Sequence, residues 1–153
     1  MTKINIMVGT MLGGSEYVAD CLADDLKLAN LDSTVHSEFN DLADYDLNDI
    51  WLICTSTHGA GDLPDNIEPL AELLRQQPDL SSLHYGVIGI GDTSYDTFNQ
   101  AAKTLDQLLQ QCQANRLGEP LYIDVQANDL PEEPAQQWLK SWIEQNSDKL
   151  NCG

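Results

Sequence analysis

Basic side chains are scarce in this 153-residue sequence: 7 Lys and Arg stand against 25 Asp and Glu, for a formal net charge of −18. Nucleic-acid and anionic-membrane binding need clustered cations, and these are too few to cluster. No run approaches the roughly 18–20 consecutive apolar residues of a membrane span. The first residues, Met1 to Ile6, enter a strand pattern directly and carry no secretory apolar region, so a cytoplasmic location is expected. The four cysteines, Cys21, Cys54, Cys112 and Cys152, form no C-x-x-C pair and share no zinc-type spacing with histidine. Nothing in them indicates disulfides or an oxidising compartment. Cys54 and Cys21 read as small buried hydrophobes, and Cys152 as an exposed thiol. His36 and His84 have no chemical partners in sequence and read as structural or exposed.

What is present is a 42% apolar fraction, ordinary for a globular protein, in a length that fits one domain over residues 1–153. The acidic field suits solubility, or a partner with a basic surface. Short apolar runs alternate with helical patterns. Strands are predicted at Ile4 to Val8, Ser33 to His36, Ile50 to Cys54, Tyr85 to Ile90 and Pro120 to Val125. Between them, Val18, Leu22, Leu26 and Ala29 recur at helical spacing, as do Ile67, Leu70, Leu73 and Leu74. Asp65 with Glu68 has capping-box spacing, and Pro78 follows that helix as a stop. Phe98, Ala101, Ala102, Leu105, Leu108 and Leu109 mark a third helix. A fourth begins near Pro134 and carries Trp138, Leu139, Trp142 and Ile143. Asn40 to Asn48 is acidic and irregular, a connecting loop. This is the pattern of an α/β fold with helices on both faces of a five-stranded parallel sheet. The doubly wound order 2-1-3-4-5 makes the first, third and fourth strands neighbours.

Those three strands end in unusual turns. Thr10-Met11-Leu12-Gly13-Gly14-Ser15 follows the first, Thr55 to Asp62 the third, and Gly91-Asp92-Thr93-Ser94-Tyr95-Asp96 the fourth. In open α/β sheets, turns at the carboxyl ends of strands build the ligand site. The first turn has no Lys for a nucleotide-triphosphatase loop and no Gly-x-Gly-x-x-Gly for a dinucleotide fold. No nucleophile elbow, zincin motif or calcium loop occurs. A cation-free anion site remains, in which Thr10, Ser15 and main-chain N–H groups at a helix start hold a phosphate monoester. A glycine turn without ligand is the plain alternative for this segment taken alone. The second turn offers Thr57, His58, Gly59, Ala60 and Gly61, whose main chain can hydrogen-bond the edge of a planar heterocycle. The third offers Gly91, Asp92, Tyr95 and Phe98. Tyr95 stands among polar residues and can stack on a ring, whereas Phe98 at the helix start also suits the core.

Together and in this order, the three turns resemble those of the flavodoxins, of the short-chain type, and of the FMN modules of diflavin reductases. The likeness runs from the first strand to the Trp138/Trp142 helix. It implies one non-covalent FMN and single-electron transfer between proteins. By this likeness Thr10 to Ser15 hold the phosphate, Tyr95 stacks on the isoalloxazine, and His58 stands on its other side. The Gly59 peptide is implied to reorient toward flavin N5 on reduction, which suits a residue that tolerates both signs of φ. Two residues depart from the family pattern: Leu12 replaces a usual hydroxyl in the phosphate loop, and His58 replaces a larger aromatic. The implied partners are a ferredoxin/flavodoxin NADP reductase as donor and an iron–sulfur acceptor enzyme such as biotin synthase. Two other readings stay open from the residues: an FMN-dependent NAD(P)H quinone or nitro reductase, and a flavin-free interaction domain.

Overall fold

Alternation along each strand decides which layer a side chain joins. In the computed structural model, which describes residues 3–10, 13–57, 61–92, 99–127 and 129–150, the first strand is β1 (Ile4–Gly9). Its Ile4, Ile6 and Val8 pack on one face of the sheet, and Met7 on the other. The same division holds in β3 (Ile50–Ser56), where Ile50, Leu52 and Cys54 oppose Trp51 and Ile53, all fully or almost fully buried. A strand buried on both faces needs two covering layers. One layer is α1 (Gly14–Leu28) with α4 (Glu132–Gln145). The other is α2 (Glu68–Arg75) with α3 (Gln100–Gln111).

All strand pairs are parallel. The order is β2 (Ser33–His36), β1, β3, β4 (His84–Gly91), then β5 (Asn115–Arg116), with β6 (Leu121–Asp124) also on β4. The doubly wound arrangement is the one expected, but its fifth position is split. Asn115–Arg116 pairs with the start of β4 and Leu121–Asp124 with its end. Gly118, at φ +77°, turns the chain out of the ladder between them, and Pro120 brings no N–H to it.

Four local expectations change. Thr55 and Ser56 belong to β3 rather than to the turn, because Thr55 pairs with Gly9 and Ser56 with Ile90. Asp65 does not cap α2: the chain first turns on the Pro64 carbonyl, which accepts from Ile67 and Glu68, and the helix starts with Pro69 in its first turn. The connecting loop contains one 3-10 turn, Leu42–Asp44, whose Ala43 N–H is capped by Asp41. Ala29 is exposed and ends α1, and Ala19 takes its place in the buried stripe. Cys54 is buried as expected, Cys21 only half so, and Cys152 lies outside the described residues. Half-buried His36 hydrogen-bonds Asn5 Oδ1 at 2.9 Å, and His84 is half-buried too. Among the described residues no helix is long and apolar enough to cross a membrane.

Candidate functional site

The carboxyl ends of β1, β3 and β4 lie side by side, so the turns that leave them share one edge of the sheet. Gly9 ends β1 against buried Thr55. A Cβ built on Gly9 lies 2.1 Å from Thr55 Oγ1 and 2.9 Å from Ile67 Cγ2, so only glycine lets β1 and β3 approach this closely.

Beyond Gly9 the first turn closes on itself. Thr10 Oγ1 accepts the Gly13 N–H at 2.8 Å. Gly13 sits at φ +88°, a left-handed conformation that a side chain resists, and its carbonyl receives the Tyr17 N–H as the first bond of α1. Among the described residues no side chain caps the helix. The N–H groups of its first residues, Gly14, Ser15 and Glu16, therefore lack intrahelical acceptors and point out of the helix mouth. Ser15 is 2% exposed, yet its Oγ has no hydrogen-bond partner among the described residues. Its carbonyl accepts a weak hydrogen bond from the Cys54 thiol at 3.7 Å. Burial pushes that thiol's pKa up to about 12, so it stays protonated. A buried hydroxyl without a partner costs roughly 1–3 kcal/mol, which a ligand acceptor at the helix mouth would recover. Hydroxyl and amide donors round a helix start, with glycines that leave room, form a cradle for a phosphate monoester. This donor set fits the phosphate end of FMN.

In the second turn, Thr57 Oγ1 accepts the Ala101 N–H at 3.1 Å and so caps α3, while Gly61 takes φ +98°. In the third, the Gly91 carbonyl accepts the Val125 N–H at 2.8 Å, and Asp92 accepts from Gln126 Nε2 at 2.9 Å. Thr10, Gly13, Thr57, Gly61 and Asp92 are thus carried on the turns at this edge, with Gly14 and Ser15 in the first turn of α1; Gly91 ends β4, paired with Asp124, rather than opening the turn. Met11, Leu12, His58, Gly59, Ala60, Tyr95 and Phe98 lie outside the described residues.

Two asparagines at the same edge were given no role from the sequence, although Asn66 closes the segment, Ser56 to Asn66, that resembles the first flavin-flanking loop. Asn66 accepts the Thr10 N–H at 2.8 Å and donates to the carbonyls of Val8 at 2.7 Å and Ser37 at 3.0 Å. Its partners are 29 to 58 residues away, so no local pattern marks it. Asn99 is fully buried at φ +54° just before α3. Its Oδ1, without a partner among the described residues, lies 2.7 Å from where a Cβ on Gly89 would stand and 2.8 Å from one on Gly91, so both positions exclude a side chain. Asn tolerates this left-handed region better than other non-glycine residues, so its place ahead of a helical pattern was the available clue.

The flavodoxin family model matches residues 6–138. Protein MioC of Escherichia coli K12 is 45% identical over 145 residues, covering 94% of this chain and 97% of its own length. Flavodoxin YqcA of the same strain is 39% identical, covering 93% and 97%. Among solved structures, a cysteine-to-serine mutant of flavodoxin from Pseudomonas aeruginosa superposes with a TM-score of 0.85 at 30% identity, over 94% of this chain and 98% of that one. With the sheet order and the cation-free helix mouth, these likenesses place the chain in the flavodoxin family, whose cofactor is FMN.

Proposed function

We propose that this chain shuttles single electrons between a reductase and an acceptor enzyme, with FMN seated across the carboxyl edge of the sheet. The observation that carries the reading is the buried Ser15 hydroxyl, unpartnered at the mouth of a helix whose first amides are open. Thr10, Gly13, Gly14 and Ser15, with Met11 and Leu12, take the phosphate. Thr57, His58, Gly59, Ala60 and Gly61 flank one side of the flavin, and Gly91, Asp92, Tyr95 and Phe98 the other. When bound, FMN supplies the redox chemistry. The protein supplies position and field: neutral donors for the phosphate, and acidic surroundings that disfavour added negative charge on the ring.

The charge layout supports basic partners. Lys3 precedes β1, Lys27 lies at the end of α1, Arg116 lies in β5, and Lys149 follows α4, all at the amino edge of the sheet, while Arg75 reaches back along α2 and is neutralised by Glu68 at 2.8 Å and by Glu72. Lys103 leans over the Tyr122 ring at 5.4 Å. Glu16, Asp62, Asp65, Asp129, Glu132 and Glu133 stand on the elements that open at the carboxyl edge, alongside the exposed apolar side chains of Tyr17, Val125 and Leu130. A face of this kind suits a basic-surfaced redox protein. The partners proposed are a ferredoxin/flavodoxin NADP reductase as donor and an iron–sulfur enzyme such as biotin synthase as acceptor, meeting a one-domain carrier in the cytoplasm. The test is titration of the flavin-free protein with FMN, read by flavin fluorescence and calorimetry, then reduction by a purified reductase. Saturable one-to-one uptake is expected. A folded protein that takes up no FMN overturns the reading.

A further inference from the structure

Asn66 is the one side chain in the described structure that ties the phosphate turn to two other segments at once. Its carboxamide reaches the exit of β1 (the Val8 carbonyl and the Thr10 N–H) and the residue after β2 (the Ser37 carbonyl), from its own place ahead of α2. The three bonds use one acceptor and two donors, which fixes the orientation of the amide. They also form the first link of a relay. Asn66 Oδ1 holds the Thr10 N–H, Thr10 Oγ1 holds the Gly13 N–H, and the Gly13 carbonyl holds the Tyr17 N–H. Because Thr10 Oγ1 already accepts from Gly13, its own proton is left to donate outward.

We propose that Asn66 is a positioning residue for cofactor selection, setting the Thr10–Gly13 turn so that the chain prefers a flavin bearing a phosphate to one without; this rests on the FMN reading above. Asn66 does not touch the ligand in this scheme. It acts through the turn that does. The residue type is demanding. Asp at this position keeps the size but loses both donations, and it sets a carboxylate behind an anion site. Leu keeps the volume and loses all three bonds. Only a carboxamide of this length supplies an acceptor for Thr10 together with donors for Val8 and Ser37.

The experiment compares FMN with riboflavin, which lacks the phosphate, in the full-length chain and in its Asn66→Ala and Asn66→Asp variants, by fluorescence titration of the flavin-free proteins. Circular dichroism melting reports on folding. In the parent chain FMN should bind far more tightly than riboflavin; if it binds neither, the FMN reading itself fails. In Asn66→Ala the FMN-to-riboflavin affinity ratio should fall by about tenfold or more, the scale of losing well-placed charge-assisted bonds. Asn66→Asp should lower the ratio further. Equal losses for both flavins, or an unchanged ratio in a folded variant, overturn the role of Asn66 while leaving the FMN reading intact. Should both variants fail to fold, amide hydrogen exchange on the parent chain decides. A Thr10 N–H protected like those of β1 supports the clamp, and one exchanging at the open-loop rate overturns it.

Discussion

Replacing Ser15 by Ala should stabilise the flavin-free protein and weaken its hold on FMN, two effects of opposite sign from one missing oxygen. Ser15 is 2% exposed and its Oγ meets no acceptor or donor among the described residues. A buried polar group in that state costs the folded chain about 1–3 kcal/mol. Alanine removes the penalty, keeps the Cβ and suits a helix better than serine does. Part of the gain is lost because the vacated volume forfeits some dispersion contacts. A net gain of about 1 kcal/mol is reasonable, which for a chain of this length raises the melting temperature by roughly 2–4 °C. With FMN the sign reverses. A hydrogen bond to a charged group contributes about 1.5–3 kcal/mol, so its loss weakens binding by roughly 10- to 150-fold.

The assay is a pair of measurements on Ser15→Ala: calorimetric melting without flavin, and fluorescence titration with FMN and with riboflavin. Riboflavin, having no phosphate, should bind parent and variant alike. A flavin-free variant less stable than the parent, with unchanged FMN affinity, would refute the reasoning. The hydroxyl would then be part of the fold and not of a ligand site.

Gly9→Ala should cost about 3 kcal/mol or more, the upper end for overpacking, because the new methyl meets Thr55 and Ile67 inside the β1–β3 contact; urea denaturation should show a lower midpoint with little change in slope. Burial lowers the pKa of His36, with nearby Lys3 adding to the effect, so the unfolded chain binds its proton more readily than the folded one. Stability is then full above the ordinary histidine pKa of about 6.5 and declines as the pH falls through it. His36→Gln should make the urea midpoint drop less than the parent's between pH 7.5 and 5.5. Cys54, buried and with its pKa pushed up to about 12, should react with a thiol reagent at pH 8 only at the rate of global unfolding, whereas half-buried Cys21 should label well before it in peptide mapping.

Much of the architecture could be read from residue order because the sheet is buried on both faces. A run such as Ile50 to Cys54, apolar throughout and only a few residues long, has little choice but a central parallel strand. The helices announced themselves by single apolar stripes, and Val18, Leu22 and Leu26 all face the core. The split fifth position was harder, since a two-residue strand carries no periodicity and only Gly118 and Pro120 hinted at the break. The start of α2 was misread because capping-box spacing is a weak local cue. The chain satisfied Ile67 and Glu68 from the Pro64 carbonyl instead. Within the site, Gly13 and Ser15 were legible from type and place. The role of Asn66 was not, because its contacts reach across the ends of β1 and β2 and are a property of the fold alone.

The proposed phosphate site, without a cation in a chain of net charge −18, looks electrostatically unfavourable until distances are considered. One surface carboxylate about 15 Å away acts on a unit charge by only about 0.3 kcal/mol in water, and salt reduces this beyond a Debye length of about 8 Å. A main-chain amide or the Ser15 hydroxyl in contact with the phosphate contributes several times as much, and it is already oriented by Gly13 and Thr10. Short-range dipoles therefore outweigh the far field at the cofactor. At the protein surface the balance is the other way. In the proposed function, a basic partner would bring many cations within one Debye length of the carboxyl edge, where Glu16, Asp62, Asp129, Glu132 and Glu133 stand and from which Lys3, Lys27, Arg116 and Lys149 are withheld. Lysines in the phosphate turn would bind the cofactor too, but they would break up the negative face that the partner meets. Under the proposed function, neutral donors at the helix mouth would satisfy both demands, which gives the scarcity of basic residues a physical rationale.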